Sequence, residues 1–245
     1  MKAAFSIGAA ALTLVLAGCG DGASNQTAST ENQAPLEQIA APNNGDWRET
    51  IEQTPEGGYR MGNPNAPVKL VEYGSLTCPH CKQFSDEATA ALRDNYVRSG
   101  QVSWEFRNFL LGGPDLALSL LARCQPPAAF FGTIEDIYTR QREFIEAIDE
   151  TEMARLNSLP PEQTIEPLAR AMDLDTYFAR RGVPEARFSQ CLNDRAQIQG
   201  LTDRTQRAGR EEGVPGTPTF FINGSKVEAD RWSNLEPQLR TALGL

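Results

Sequence analysis

The sequence predicts an α/β fold, a small sheet with helices, interrupted by a long helical insertion. Three observations carry this. Val68-Lys69-Leu70-Val71-Glu72-Tyr73 alternates in polarity and is β-prone, and a helical period follows it directly. The stretch from about Pro114 to Gly213 is helical in pattern. Two short β-prone runs, Thr219–Ile222 and Lys226–Glu228, then flank Asn223-Gly224, a strong hairpin signal.

Taken in order, the first strand is Val68–Tyr73. The helix after it places Phe84, Ala88, Ala91 and Leu92 on one face. Val102–Phe109 alternates again and reads as a second strand. In the insertion, Leu116, Leu120 and Leu121 share a face, as do Phe130, Ile134, Ile137 and Tyr138. Pro160-Pro161 and Gly182-Val183-Pro184 punctuate later helices. A helix from about Arg231 to Leu243 ends the chain. The expected order is strand, helix, strand, insertion, hairpin, helix, with 47–113 and 214–245 forming one domain around the insertion.

The first 18 residues read as a lipoprotein signal peptide. Lys2 supplies a charge, and the largely apolar run Ala3–Ala17 has 15 residues. A bilayer span needs about 20, so the run is too short to cross. It ends in Leu16-Ala17-Gly18-Cys19, which resembles the bacterial signal where cleavage precedes a lipidated cysteine. A plain secretory peptide with an incidental cysteine is the alternative. Residues 19–46, rich in Ser, Thr, Asn, Gln, Ala and Pro, read as the lipidated cysteine and a flexible tether. A domain outside the cytoplasm, held to a membrane through Cys19, is expected. With 32 acidic against 23 basic residues and no basic block, nucleic acid is not an expected partner.

Of five cysteines, lipidation of Cys19 leaves Cys78, Cys81, Cys124 and Cys191. Cys78 and Cys81 are local to each other, so Cys124–Cys191 follows as a structural disulfide if all four pair; free buried thiols are the other reading. A zinc site needs a second close pair or clustered histidines. The other two cysteines are far apart in sequence and His80 is the chain's one histidine. No metal is therefore expected. A c-type haem needs histidine after the second cysteine, where Lys82 stands. A lone histidine inside Cys78-Pro79-His80-Cys81 also leaves no hydrolytic triad. No nucleotide-binding glycine pattern occurs, and no cofactor is expected.

What remains is a reactive dithiol or a structural staple, and position decides for the dithiol. Cys78 falls at or just before a helix start, with Pro79 suited to the first turn. Free N–H groups and the helix dipole stabilise a thiolate there, and a protonated His80 would add a positive neighbour. A stabilised thiolate favours the reduced form and makes the disulfide a better oxidant. Cys81 is the natural resolving thiol.

Together, the Cys78–Cys81 motif after a strand, the helical insertion and Gly213-Val214-Pro215-Gly216-Thr217-Pro218-Thr219-Phe220 resemble the DsbA-type thiol–disulfide oxidoreductases of the thioredoxin superfamily. The likeness runs from about Gly57 to Leu245. It implies a thioredoxin-like fold with the insertion between the second core strand and the cis-proline strand. It implies that Cys78 is the exposed nucleophile, that His80 tunes its thiolate, and that Pro218 is the cis-proline beside which substrate pairs, with Thr217 preceding it. Glu72 matches the family's buried acid assisting proton transfer at Cys81; a solvent-facing glutamate is the alternative. Implied partners are exported proteins with free thiols and a quinone-linked membrane oxidase. Thr217 is more typical of the isomerase branch, and of several DsbA relatives, than of the family's best-known oxidase. Those isomerases dimerise through a separate N-terminal domain, for which this chain has no room, so a monomeric oxidase is expected. A reductase or isomerase is the first rival, and a chaperone-like peptide-binding protein the rival of another class.

Overall fold

The computed structural model describes Met1, residues 36–160 and residues 163–245; the apolar N-terminal run and Cys19 lie outside the described residues. Two three-residue strands, β1 (Ile51–Gln53) and β2 (Tyr59–Met61), precede the expected elements. Then come β3 (Val68–Gly74), α1 (Pro79–Ala91) with a π-helical turn over Leu92–Val97, and β4 (Val102–Asn108). The insertion supplies α2 (Gly113–Arg123), α3 (Phe130–Thr139), α4 (Gln141–Glu146) and α5 (Glu150–Asn157). It continues through α6 (Ile165–Ala171), α7 (Leu174–Arg180), α8 (Glu185–Leu192) and α9 (Arg195–Glu211). The chain closes with β5 (Thr219–Ile222), β6 (Ser225–Val227) and α10 (Trp232–Ala242).

The sheet order is β1-β2-β4-β3-β5-β6. The central pair β3 and β4 is parallel, from Val68 opposite Val102 to Gly74 opposite Asn108. Their crossover is α1, as parallel neighbours require. β5 runs antiparallel to β3, with Glu72 opposite Phe220 and Tyr73 opposite Thr219. Asn223 and Gly224, at φ 50° and 82°, form the turn to β6 in the left-handed region that favours this dipeptide.

Alternation along β3 divides the packing. Val68, Leu70 and Glu72 face the main core, which holds the fully buried Phe84, Phe106, Phe130 and Phe220. Tyr73 belongs to a smaller cluster on the other face, with Ala208 and Val214. A one-residue register slip would exchange these two sets, so the register is strongly specified.

Two features depart from the sequence reading. The hairpin β1–β2 is too short to read from pattern, since Ile-Glu-Gln does not alternate and Tyr-Arg-Met alternates over three residues alone; it forms because β2 pairs with the otherwise open edge of β4. The polar stretch before Trp47, read as tether to Asp46, is in part docked. Ile39 donates its N–H to the Ser99 carbonyl at 2.8 Å, and the Trp47 indole donates to the Ile39 carbonyl at 2.7 Å. Leu36 packs against the core as well. Two apolar residues in a polar sequence suffice to anchor it. Among the described residues no helix is long and apolar enough to cross a membrane.

Candidate active site

β3 runs outward to Gly74, and Ser75-Leu76-Thr77 turn the chain into α1. Cys78 is the N-cap residue, in extended conformation, and Pro79 opens the helix. Cys81 follows in the first turn, fully buried. The two thiols are unbridged, so this is the reduced dithiol. The sheet brings the Thr217-Pro218 segment, just before β5, against them, and the Thr217-Pro218 peptide bond is cis. The Cys78 thiol donates to the Thr217 carbonyl at 3.3 Å. Cys78 is only 5% exposed, so the open nucleophile that the resemblance implies is in fact covered by this segment.

The two thiols have opposite acidities. Cys78 is held at about 5, chiefly by the hydrogen bond from the Cys81 thiol. Burial opposes this, while the Thr217 hydroxyl and the backbone N–H groups of Cys81 and His80 reinforce it. The Thr217 Oγ1 is buried without a partner beside the neutral thiol. Deprotonation of Cys78 gives it an acceptor. Cys81 is pushed well above the usual thiol value, first by burial, then by its bond to Cys78 and the charges of Glu72 and Cys78. His80 is exposed, and its contribution to the thiolate comes from its backbone N–H.

Glu72 faces the core, 2% exposed, and accepts a hydrogen bond from the Trp104 indole at 3.1 Å. Burial raises it to about 8, against the lowering effect of that bond. A carboxyl so placed is neutral over much of the ordinary pH range and can carry a proton. A cavity of about 10 Å³, lined by Glu72, Ser85, Thr89, Trp104 and Tyr138 among others, adjoins it. That is space for one water.

Three further side chains hold the turn that carries Cys78. The Tyr138 hydroxyl donates to the Ser75 carbonyl at 3.1 Å. Asp115 accepts from the Leu76 N–H at 2.9 Å and from the Leu111 N–H at 3.0 Å. The Gln141 amide donates to the Leu76 and Cys78 carbonyls at 2.9 and 3.0 Å. All three are buried, and they come from α3, α2 and α4 of the insertion. The sequence reading used Tyr138 only as part of an apolar helix face and did not single out Asp115, Gln141 or Trp104. An acid in the first turn of a helix was the one signal available, and it is too common to discriminate.

Cys124, at the C-cap of α2, and Cys191, in the last turn of α8, are bridged, with Cα atoms 5.9 Å apart. The bridge ties two helices of the insertion and stands apart from the dithiol.

Comparison with known proteins gives a consistent picture. The thioredoxin family profile matches residues 54–240. A Rickettsia prowazekii protein, whose name marks it as an inferred protein-disulfide oxidoreductase, is 25% identical over 190 residues. That match covers 75% of this chain and 60% of the relative, so the chain spans somewhat less than two thirds of the relative's length. A Bacillus anthracis protein, named as an inferred disulfide bond formation protein D, is 31% identical over 180 residues, 69% of this chain and 71% of that one. Among solved structures, a protein-disulfide isomerase from Novosphingobium aromaticivorans superposes with a TM-score of 0.72 at 29% identity, covering 76% of this chain and 97% of that one. Wolbachia pipientis α-DsbA1 shares the fold at TM-score 0.61 and 20% identity, covering 76% and 91%. With an N-capping Cys-Pro-His-Cys dithiol facing a cis-proline, and helices α2 to α9 inserted between β4 and β5, the chain belongs to the thioredoxin family in its DsbA-like form.

Proposed function

We propose that the protein is an extracytoplasmic thiol–disulfide oxidoreductase that introduces disulfides into exported proteins. The asymmetry of the dithiol carries this reading. A Cys78 thiolate at about 5 is ionised at neutral pH, while Cys81 stays protonated. Stabilising the reduced form in this way makes the Cys78–Cys81 disulfide a good oxidant.

In the oxidised enzyme, a substrate thiolate attacks the Cys78 sulfur and the bond to Cys81 breaks. Cys81 leaves as a thiolate and takes a proton, for which Glu72 is the neighbouring acid. The second substrate thiol loses its proton and attacks the mixed disulfide. Substrate departs oxidised by two electrons, and Cys78 is left as the stabilised thiolate. The Thr217-Pro218 segment is where an extended substrate would lie. A membrane partner, quinone-linked in the family, would reoxidise the dithiol, and lipidated Cys19 would hold the enzyme beside it. Exported proteins with free thiols are the substrate class.

A second reading, an isomerase or reductase, is favoured by Thr217 before the cis-proline and by the likeness to the Novosphingobium isomerase. Equilibrium of the full chain with glutathione buffers, read by alkylation of Cys78 and Cys81, separates the two. A potential near about −120 mV, where the family's strong oxidants lie, supports the oxidase. A potential near about −270 mV, that of thioredoxin, overturns it.

A further inference from the structure

The turn Ser75–Cys78 carries the nucleophile, and much of its polar backbone is satisfied by the insertion rather than by the sheet. Asp115 differs from its two companions in this clamp. Tyr138 and Gln141 are neutral donors, whereas Asp115 is an acceptor whose capacity depends on its charge. As a carboxylate it offers both oxygens, one to the Leu76 N–H and one to the Leu111 N–H. It is 1% exposed, with the Ser75 hydroxyl as a third donor. A single buried group therefore ties the pre-dithiol turn to the loop between β4 and α2. It also lies within the electrostatic field of Cys78.

Resting on the reading of Cys78–Cys81 as a redox site, we propose that Asp115 is a positioning residue of the dithiol and its redox-linked proton acceptor. The carboxylate fixes the turn that aims Cys78, and its negative charge opposes the Cys78 thiolate. Two like charges close together in a buried site raise each other's affinity for protons. The disulfide carries no such charge. Reduction consequently raises the proton affinity of Asp115, and oxidation lowers it.

The balance is explicit. Two substrate thiols give up two electrons and two protons and form one S–S bond, while the Cys78–Cys81 bond breaks. Cys78 ends as thiolate, Cys81 as thiol with one of the protons. The other proton goes to solvent at neutral pH and, increasingly as the solution becomes acidic, to Asp115. Burial already places Asp115 at about 6, against the lowering effect of its hydrogen bonds, and the Cys78 charge adds to the rise. Of the other ionisable groups in this field, Tyr138 from α3 stays neutral, since burial lifts its hydroxyl far above the usual range. The charges of Cys81 and Glu72 push the Tyr138 hydroxyl further in the same direction.

The test uses the full chain in two redox states. In the wild type, the carboxyl carbon of Asp115, followed by NMR of isotope-labelled protein and assigned by through-bond correlation to its own backbone, is expected to titrate higher in the reduced than in the oxidised form. In Asp115→Asn, the ultraviolet absorbance of the Cys78 thiolate is expected to titrate lower by about half a unit, roughly a threefold change in the ionisation constant. A purely structural residue would move neither midpoint. Identical Asp115 titrations in both redox states overturn the proposal, as does an unchanged or raised Cys78 midpoint in a folded variant. The wild-type measurement stands even if the variant fails to fold. Should the wild type lack disulfide exchange with a reduced peptide, the redox reading itself fails, and that outcome is read separately.

Discussion

The chain holds two pairs of cysteines at opposite kinds of helix end. Cys78 caps the N-terminus of α1, with Cys81 in its first turn. Cys124 caps the C-terminus of α2, and Cys191 lies in the last turn of α8. The backbone N–H groups of His80 and Cys81 are turned to Cys78, whereas Cys124 and Cys191 lie at helix ends whose free backbone groups are carbonyls. The partial charge of a helix is positive at its N-terminus and negative at its C-terminus, so the same thiolate is favoured in one place and disfavoured in the other. An intermediate that opens Cys78–Cys81 leaves a stabilised anion, whereas one that opens Cys124–Cys191 does not. The reactivity of a disulfide is thus decided by where the backbone puts it.

The largest effects follow from breaking each pair. Cys78→Ser is expected to abolish thiol–disulfide exchange with a reduced peptide while the fold persists. The double variant Cys124→Ser, Cys191→Ser is expected to keep exchange and lose stability instead. Its bridge closes a loop of sequence separation 67, for which chain entropy suggests about 4 kcal/mol. Exchange assays paired with urea unfolding check both. Comparable exchange losses in the two variants would erase the distinction between the pairs.

A smaller effect concerns the floor beneath the dithiol. Glu72 has a folded value of about 8 against an ordinary value of 4.5. Because the folded value is raised, its neutral form favours the fold below about 4.5, and that advantage is lost as pH rises through 8. Glu72→Gln stays neutral throughout. It is expected to gain stability over the wild type between these limits, on the order of 4 kcal/mol by pH 8. Denaturant midpoints of reduced protein across that range decide it. A constant difference between the two proteins would mean that Glu72 does not titrate there.

How much of this was legible beforehand follows from the range of the interactions involved. The α/β order, the α1 start at Pro79 and the Asn223-Gly224 turn rest on local rules of spacing and backbone conformation. The Cys78–Cys81 motif is likewise local. The clamp of Asp115, Tyr138 and Gln141 joins residues 39 to 65 apart to three carbonyls and one N–H of the Cys78 turn, and no local pattern marks it. The β1–β2 hairpin depends on an edge that exists only once β4 is in place. The cover over Cys78 is tertiary as well, since Thr217 lies 139 residues away in sequence. Thr217 and Pro218 could be named only through a family resemblance.

The finest contrast lies within the reactive pair, at that cover. Thr217 presents its carbonyl to the Cys78 thiol and a buried, otherwise unpartnered hydroxyl to the thiolate. Valine keeps the shape, the backbone and the carbonyl, and removes only the hydroxyl. A hydrogen bond to a charged group is worth about 1.5–3 kcal/mol, reduced here because Cys81 and two backbone N–H groups still serve the thiolate. Thr217→Val is therefore expected to raise the Cys78 midpoint from about 5 by about one unit. The thiolate contribution to the reduced form is complete above the free-thiol value and lost as pH falls through the folded value. Raising that value narrows the window from below and makes the disulfide less oxidising, by roughly 30 mV per unit for a two-electron couple. Titration of the thiolate absorbance and the potential at neutral pH must move together. A change in potential with no change in the Cys78 midpoint would place the effect of Thr217 in the oxidised state instead, and the hydroxyl would have no part in holding the anion.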